Sequence, residues 1–348
     1  MTIILRGIAH AVPPHELPQD IVLQNARKIL GPRYAQFERL SKTFHTSGVE
    51  RRYSVAPLDW FQETKNWPER NQAYLEGATA LFIDAARGAL KHANLSADQI
   101  DCVVTVSSTG VATPTLEALA FREMGFRSDV RRVPLFGLGC AGGVTGLSTA
   151  AELARGRPGS NVLMVAVETC TLQFRSDRLQ KSDVIATVLF GDGAAAAIVS
   201  SADETGIAQI GHGSEHLWPD TLDIMGWNVD EAGLGVVFDR SIPDFALQHI
   251  NGVTQSALDK AGLQKNDIGR FICHPGGAKV VLALEEALEL PTESLDIERH
   301  VLRDFGNMSA PTVLFVLEQA LKQGVTGQLM MMALGPGFTA SFLPMRTS

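Results

Sequence analysis

Aromatic residues are scarce in this 348-residue chain, at 7%, and its four cysteines show neither CxxC nor Cys-His spacing. Without such spacing, we expect neither a zinc site nor a disulfide framework, and a reducing, cytoplasmic location is favoured. The chain also lacks an excess of basic residues, since 30 Lys and Arg stand against 38 Asp and Glu. The resulting net charge of −8 argues against a protein that binds nucleic acid.

No segment is a convincing membrane span. The longest uncharged run, residues 133–151, contains five glycines and Pro134 and is followed by Glu152 and Arg155. A strand, a turn and a buried helix explain this run better than a membrane helix does. The apolar start of the chain is too short for a signal peptide and predicts a first strand. We therefore expect an α/β protein without membrane insertion.

A faint internal duplication is visible. Residues 89–106 match residues 257–274 at a shift of 168, and each segment is typical of a helix end, a turn and an apolar strand. A second match, at a shift of 167, places Cys140 on Asn307. Two matches at nearly one offset predict two similar α/β halves, residues 1–205 and 206–348. Because a pseudo-two-fold axis would relate the halves, we expect Cys140 and Asn307 to face each other.

Cys140 is the candidate nucleophile. The apolar run 133–136 predicts a strand, the segment GLGCAGG a sharp turn, and residues 144–154 a helix whose small residues on every side indicate burial. At the N-terminus of such a helix, the dipole and the free N–H groups would lower the pKa of the thiol and could receive an oxyanion. The alternative is a small buried hydrophobic residue.

His274 and Asn307 are the candidate partners of this thiol. His274 is expected to end the strand 271–274, before a Pro-Gly-Gly turn, where its imidazole could act as a base; a hydrogen-bonded core histidine is the alternative. Asn307 is expected to open a helix, either as an N-cap or as a catalytic amide. A thiolate–imidazolium pair would accept an acyl group from a thioester. Imidazole and amide would then stabilise the enolate formed when a malonyl group loses carbon dioxide.

Other functions fit parts of the same pattern. Gly137, Gly139 and Gly142 spell GxGxxG, and Glu168 ends the next strand, which is the outline of an NAD-linked oxidoreductase. A papain-like hydrolase also uses Cys, His and Asn, but the deep burial expected for Cys140 argues against it. A scaffold protein that holds acyl-CoA without turnover is a third alternative.

Five motifs carry a resemblance that covers almost the whole chain. They are GLGCAGG around Cys140, LFGDGAAAAIV at 189–199, CHPGG around His274, GNMSAPTVLFVLE from 306, and ALGPGFT near the C-terminus. In this order they resemble a bacterial type III polyketide synthase of the chalcone/stilbene synthase family. The resemblance implies the thiolase fold, an α/β fold with two pseudo-symmetric halves in a layered αβαβα arrangement, and a homodimer. It also implies that Cys140 carries the acyl group, while His274 and Asn307 drive malonyl-CoA decarboxylation.

The same resemblance implies a substrate cavity and a CoA site. Phe174 matches a gatekeeper phenylalanine, Val236 takes the place of a second one, and Gly335-Pro336-Gly337 forms the cavity floor. Thr113 would reach into the partner's cavity; it is smaller than the methionine of plant members, which leaves room for an aliphatic starter. The residues expected to bind CoA are Arg39, Lys42, Arg51, Arg52 and Lys279.

The implied activity is iterative condensation. An acyl-CoA starter would be loaded on Cys140, extended with malonyl-CoA, and released as a cyclised resorcinol or pyrone. CoA thioesters would be the substrates, with no cofactor and no metal, and the low aromatic content favours a fatty acyl starter. The nearest alternative is a ketoacyl-ACP synthase III that performs one condensation; there Gln-Ala-Asn usually follows the catalytic histidine, whereas Pro-Gly-Gly follows His274. The starter, the number of extensions and the mode of ring closure remain open.

Overall fold

The computed structural model describes residues 1–178, 180–202 and 206–347. The strands are β1 (Thr2–Ala11), β2 (His15–Pro18), β3 (Arg51–Ser54), β4 (Cys102–Val106), β5 (Arg131–Leu135), β6 (Asn161–Thr169), β7 (Asp192–Ala202), β8 (Ala208–Ile210), β9 (Ser214–Leu217), β10 (Met225–Asp230), β11 (Gly233–Phe238), β12 (Ile268–Cys273), β13 (Gly327–Gly335) and β14 (Thr339–Thr347). The helices are α1 (Gln19–Leu30), α2 (Phe37–Ser41), α3 (Thr43–Thr46), α4 (Trp67–Ala93), α5 (Leu116–Leu119), α6 (Phe121–Met124), α7 (Gly142–Arg155), α8 (Lys181–Leu189), α9 (Ile242–Ala261), α10 (Ala278–Ala287), α11 (Asp296–Phe305) and α12 (Thr312–Lys322).

Ten strands form one mixed sheet in the order β12-β13-β14-β8-β1-β7-β6-β4-β5, with β9 paired to β14. Strand β4 runs parallel to β5 and β6, and β12 runs parallel to β13. The short strand β8 pairs with both β1 and β14 and so joins the two halves of the sheet. Two antiparallel pairs, β2–β3 and β10–β11, lie outside this sheet.

The packing of alternate residues shows five layers. In β7, Ala194 and Ala196 join the apolar cluster of α4, whereas Ala195 and Ala197 join the cluster that contains α7 and α12. That second cluster also takes alternate residues of β13, whose remaining residues face α9 and α10. The order is therefore α4, half-sheet, α7 with α12, half-sheet, α9 with α10. The predicted αβαβα fold is confirmed.

The two segments matched in the sequence have the same local structure. Helix α4 ends before Asn94, which has a left-handed φ of 52°, and a short 3₁₀ turn then leads into β4. Helix α9 ends before Gly262, with a φ of 68°, and a matching 3₁₀ turn leads into β12. The expected boundary at residue 205 lies outside the described residues. Within the described ranges, no helix is both long and apolar enough to cross a membrane.

Candidate active site

Cys140, His274 and Asn307 line one cavity of about 470 Å³. Cys140 lies in a 3₁₀ turn between β5 and α7, His274 directly follows β12, and Asn307 lies between α11 and α12. Their side chains are buried, with residue exposures of 6%, 4% and 1%. The Cys140 Sγ atom lies 3.9 Å from the Asn307 Oδ1 atom. The fold thus brings together the thiol of the first half and the imidazole and amide of the second.

Besides its contact with Cys140, Asn307 is held by four hydrogen bonds to the surrounding backbone. Its backbone N–H donates to the Leu189 carbonyl at 2.8 Å, and its carbonyl accepts from the Gly191 N–H at 3.1 Å. Its Nδ2 donates to the Gly276 carbonyl at 3.1 Å, and its Oδ1 accepts from the Ser309 N–H at 2.8 Å. The expectation that Asn307 opens a helix is wrong, because α12 begins only at Thr312. The amide is instead fixed by a short bridge to the chain that follows α8.

Burial controls the charge state of the site. It raises the pKa of Cys140 to about 11, although hydrogen bonds with the side chains of Ser309 and Asn307 act in the opposite direction. Burial also lowers the pKa of His274 to about 3, and neither ring nitrogen has a hydrogen-bond partner among the described residues. The expected lowering of the thiol pKa is therefore wrong for this structure, since desolvation disfavours the charged form of each group. A neutral thiol and a neutral imidazole share the cavity.

The predicted Gly335-Pro336-Gly337 turn packs against the turn that carries the thiol. A Cβ atom on Gly335 would lie 2.8 Å from both the Leu138 carbonyl oxygen and the Ala141 nitrogen. A Cβ atom on Gly139 would lie 2.6 Å from the Pro336 Cδ atom. These glycines allow two backbones to touch, so the turn supports Cys140 from behind. Of the preceding residues, Leu334 lines the cavity.

Phe174 does not occupy the expected gate. It packs edge-to-face on Phe61 and borders a second cavity of about 60 Å³. Phe190 borders the same second cavity, but its backbone bridges to Asn307 and its ring clusters with the buried Val236. The phenylalanine that lines the cavity of Cys140 is Phe238. Phe190 was missed, although it lies inside the LFGDG motif. Thr113 is exposed, and its expected reach into a partner subunit stays a prediction.

The basic residues divide into three groups. Lys279 lines the cavity, as do Lys181 and Arg240, which were not predicted. Arg39 and Lys42 are exposed but are not among the cavity-lining residues, and Arg51 is exposed and pairs with Asp304 at 3.3 Å. The fifth residue that was expected to bind CoA, Arg52, is buried.

Arg52 points into the protein. It is 2% exposed, and its guanidinium donates to backbone carbonyls at the end of α8. Because Arg51 and Arg52 are neighbours in β3, they face opposite sides of the strand. The expectation that Arg52 binds CoA is therefore wrong.

The NAD-linked alternative is contradicted at its acidic residue. Glu168 is fully buried and accepts from the Ser108 N–H at 2.9 Å and from the Thr109 hydroxyl at 2.7 Å. Burial raises its pKa to about 8, so it is not a free carboxylate that could bind a ribose. A Cβ atom on Gly142 would lie 2.6 Å from Val106 Cγ1; this glycine therefore serves the packing of α7.

Comparison with known proteins identifies the family. Residues 3–203 match the family model of chalcone and stilbene synthases, N-terminal domain, and residues 209–347 match that of the C-terminal domain. The chain is 38% identical to 1,3,6,8-tetrahydroxynaphthalene synthase of Streptomyces peucetius subsp. caesius, over 99% of this chain and 94% of that protein. It is 30% identical to the enzyme of the same name from Streptomyces griseus, over 95% of this chain and 89% of that protein.

Solved structures agree with this assignment. The crystal structure of 1,3,6,8-tetrahydroxynaphthalene synthase from Streptomyces coelicolor A3(2), a bacterial type III polyketide synthase, matches with a TM-score of 0.93 and 27% identity. The match covers all of this chain and 99% of that one. The chain therefore belongs to the chalcone and stilbene synthase family and is a type III polyketide synthase, a condensing acyltransferase.

Proposed function

We propose that the enzyme loads an acyl-CoA starter on Cys140, extends it repeatedly with malonyl-CoA, and releases a cyclised resorcinol or pyrone. The observation that supports this most is the buried thiol, which lies 3.9 Å from a fixed amide. It shares one cavity with an imidazole that has no hydrogen-bond partner in the part of the chain that the structure describes. Other than the CoA thioesters themselves, the proposed reaction needs no cofactor.

Loading requires a base, because the thiol is neutral in this pocket. His274 takes the thiol proton as Sγ attacks the thioester carbonyl, and it returns that proton to the departing CoA sulfur. The bond to CoA sulfur breaks as the bond to Cys140 Sγ forms. Neither ring nitrogen of His274 is bonded to another described residue, which suits the imidazole to both proton transfers.

Extension requires stabilisation of an enolate. One N–H of the Asn307 amide donates to the Gly276 carbonyl, which leaves its second N–H for the thioester oxygen of malonyl-CoA. A neutral imidazole N–H is the other donor, and neutral donors in a dry cavity stabilise the negative charge as carbon dioxide leaves. The carbanion attacks the acyl carbon on Cys140 and displaces the sulfur, giving a carbon–carbon bond.

The charged residues at the cavity support a CoA site. Lys181, Arg240 and Lys279 line it, and cationic side chains suit the phosphates of CoA. We propose that these three residues, rather than Arg52, hold the CoA end of both substrates.

A second candidate product comes from the relatives. Two of them carry the name 1,3,6,8-tetrahydroxynaphthalene synthase, so this naphthalene is an alternative to a resorcinol or pyrone. We further propose a homodimer, since β5 is the edge strand of the sheet and the adjacent Phe136 is 61% exposed.

One experiment separates these possibilities. The protein is incubated with a panel of acyl-CoAs and isotopically labelled malonyl-CoA, and products are identified by mass. A product with several labelled units supports iterative extension, and its mass distinguishes a tetrahydroxynaphthalene from an alkylresorcinol or pyrone. A product with one unit would indicate a single-condensation enzyme, and the absence of any acyl-enzyme would indicate a scaffold; both contradict the proposal.

A further inference from the structure

A buried arginine lies directly behind the segment that holds Asn307. Arg52 Nη1 donates to the Thr187 carbonyl at 2.6 Å and to the Phe190 carbonyl at 3.2 Å, and Nη2 donates to the Val188 carbonyl at 2.8 Å. Nη2 also donates to Gln19 Oε1. Burial lowers the pKa of Arg52 to about 9, and Asp192 partly offsets this effect. The charge is thus kept in the interior by a dense set of acceptors.

These acceptors are the end of α8. The last carbonyls of any helix have no partner within the helix, and a cation there also interacts favourably with the helix dipole. One guanidinium binds three carbonyls in the stretch from Thr187 to Phe190. Gln19 adds a hydrogen bond at the end of α8, because its Nε2 donates to the Val188 carbonyl at 3.1 Å. Arg52 therefore fixes where α8 ends.

The same stretch holds Asn307. The Leu189 carbonyl accepts the Asn307 N–H at 2.8 Å, and the Gly191 N–H donates to the Asn307 carbonyl at 3.1 Å. Arg52 also touches this bridge directly, because Nη1 donates to the Phe190 carbonyl. A Cβ atom on Gly191 would lie 3.2 Å from Arg52 Cβ, and one on Gly306 would lie 3.5 Å from it. The Arg52 side chain thus lies beside both backbone segments of the bridge that carries the amide.

Cys140 has a separate support. Its turn packs on Gly335 and Pro336, and the hydrogen bonds of Arg52 all go to α8, the residue after it, and Gln19. A shift of the α8 end would therefore move the amide more than the thiol.

We propose that Arg52 is a positioning residue for Asn307: it holds the Leu189–Gly191 backbone in place and thereby aims the amide at the enolate oxygen. This inference rests on the proposed role of Asn307 in malonyl-CoA decarboxylation. It assigns to Arg52 a part in extension and none in starter loading.

The test measures two steps separately in the full-length protein. Loading is followed as the single-turnover acyl adduct by intact-mass spectrometry, and decarboxylation is followed as release of carboxyl-labelled carbon dioxide from malonyl-CoA. For Arg52→Met we expect kcat of decarboxylation to fall by about 10- to 100-fold, since small misplacements of a catalytic group cost this much. Loading and the KM for malonyl-CoA should change by less than about three-fold.

Controls separate positioning from stability. Arg70 is equally buried at 2% exposure but donates to the Ala232 carbonyl, away from the Asn307 bridge. Arg70→Met should leave the ratio of the two rates unchanged. In an Asn307→Ala background, Arg52→Met should cause almost no additional loss of decarboxylation, because both changes act on one group.

Milder variants keep the proposal testable if Arg52→Met does not fold. Arg52→Lys leaves one ammonium, which cannot bind all the carbonyls that Arg52 binds. Gln19→Met removes one acceptor of Arg52 and one donor to the Val188 carbonyl. Each should slow decarboxylation by about three- to ten-fold with loading preserved. Equal losses in both steps, or additive losses with Asn307→Ala, would overturn the proposal. A wild-type protein that forms no adduct and releases no carbon dioxide would instead refute the proposed function.

Discussion

The Sγ atom of Cys140 and the Oδ1 atom of Asn307 lie 3.9 Å apart although 167 positions separate the residues in the chain. Cys140 lies between β5 and α7, and Asn307 lies between α11 and α12. His274 lines the same cavity. The cavity is thus lined by residues from both matched domains, and neither domain supplies all three side chains.

Replacing the amide should separate the two chemical steps. In Asn307→Ala the thiol and imidazole remain, so starter loading should persist, while decarboxylation should fall by about 10²- to 10³-fold, as for other lost oxyanion donors. Loading is measured by intact mass and decarboxylation by release of labelled carbon dioxide. An unchanged rate of carbon dioxide release would show that the amide has no part in that step.

Gly335→Ala should displace the turn that carries Cys140, because Gly335 packs against this turn. The added Cβ atom would lie 2.8 Å from backbone atoms of Leu138 and Ala141, so the turn that carries Cys140 must move. We expect a loss of about 1–3 kcal/mol in the free energy of unfolding, which is typical of overpacking, together with slower loading. Chemical denaturation and adduct formation measure the two effects.

The matched control is Gly252→Ala. Gly252 lies in α9, and apart from its own helix backbone a Cβ atom there would meet no described residue within 4 Å. Alanine there should stabilise the protein by about 0.5–1 kcal/mol through its helix propensity. Equal stability and equal loading in Gly335→Ala and the wild type would mean that the turn is not held by this close contact.

Buried Glu168 should make stability fall as pH rises. Its pKa is raised to about 8 in the folded protein from an ordinary value of 4.5, so between these values the folded state keeps a proton that the unfolded chain has lost. The free energy of unfolding then decreases with rising pH, by up to about 1.4 kcal/mol per pH unit for one group. Glu168→Gln should remove this contribution. Denaturation at several pH values measures it, and identical pH slopes in both proteins would contradict the assignment.

The cavity cations should act on substrate affinity. Lys181→Ala and Arg240→Ala should raise the KM for acyl-CoA by about ten-fold with little change in kcat, because lost phosphate contacts weaken ground and transition states alike. Lys260→Ala, near the other end of α9 from the cavity-lining Ile242, is the control. If neither cavity variant changes KM, the CoA phosphates bind elsewhere.

Local patterns predicted much of the site. The strand, turn and helix around Cys140 follow from an apolar run, a glycine-rich turn and small residues, and they are observed as β5, the 3₁₀ turn and α7. The burial of α7 was also correct, with Val144 and Leu147 fully buried. The internal repeat pointed to a pairing of Cys140 with Asn307, because duplicated folds place equivalent loops on one axis.

The wrong predictions for Arg52 and Phe174 share a physical cause, since each depended on which way a side chain faces. Arg52 was expected to lie at the surface and bind CoA. Strand alternation instead turns its side chain inward, where it donates to carbonyls at the end of α8. Phe190 lies inside the LFGDG motif and Phe174 precedes it in the sequence. Only the fold shows that Phe190 is the one that adjoins Asn307. The prediction of a lowered thiol pKa was based on the position at a helix N-terminus alone. It left out burial, which has the larger effect on the pKa of Cys140.

The most direct test is to locate the acyl group. The protein is incubated with a fatty acyl-CoA, quenched, digested and mapped by mass spectrometry beside Cys140→Ala and Cys170→Ala, which replaces another buried cysteine. The account predicts one acyl group on Cys140 in the wild type and in Cys170→Ala, and none in Cys140→Ala. An acyl adduct that survives in Cys140→Ala, or product formation by that variant, would contradict it.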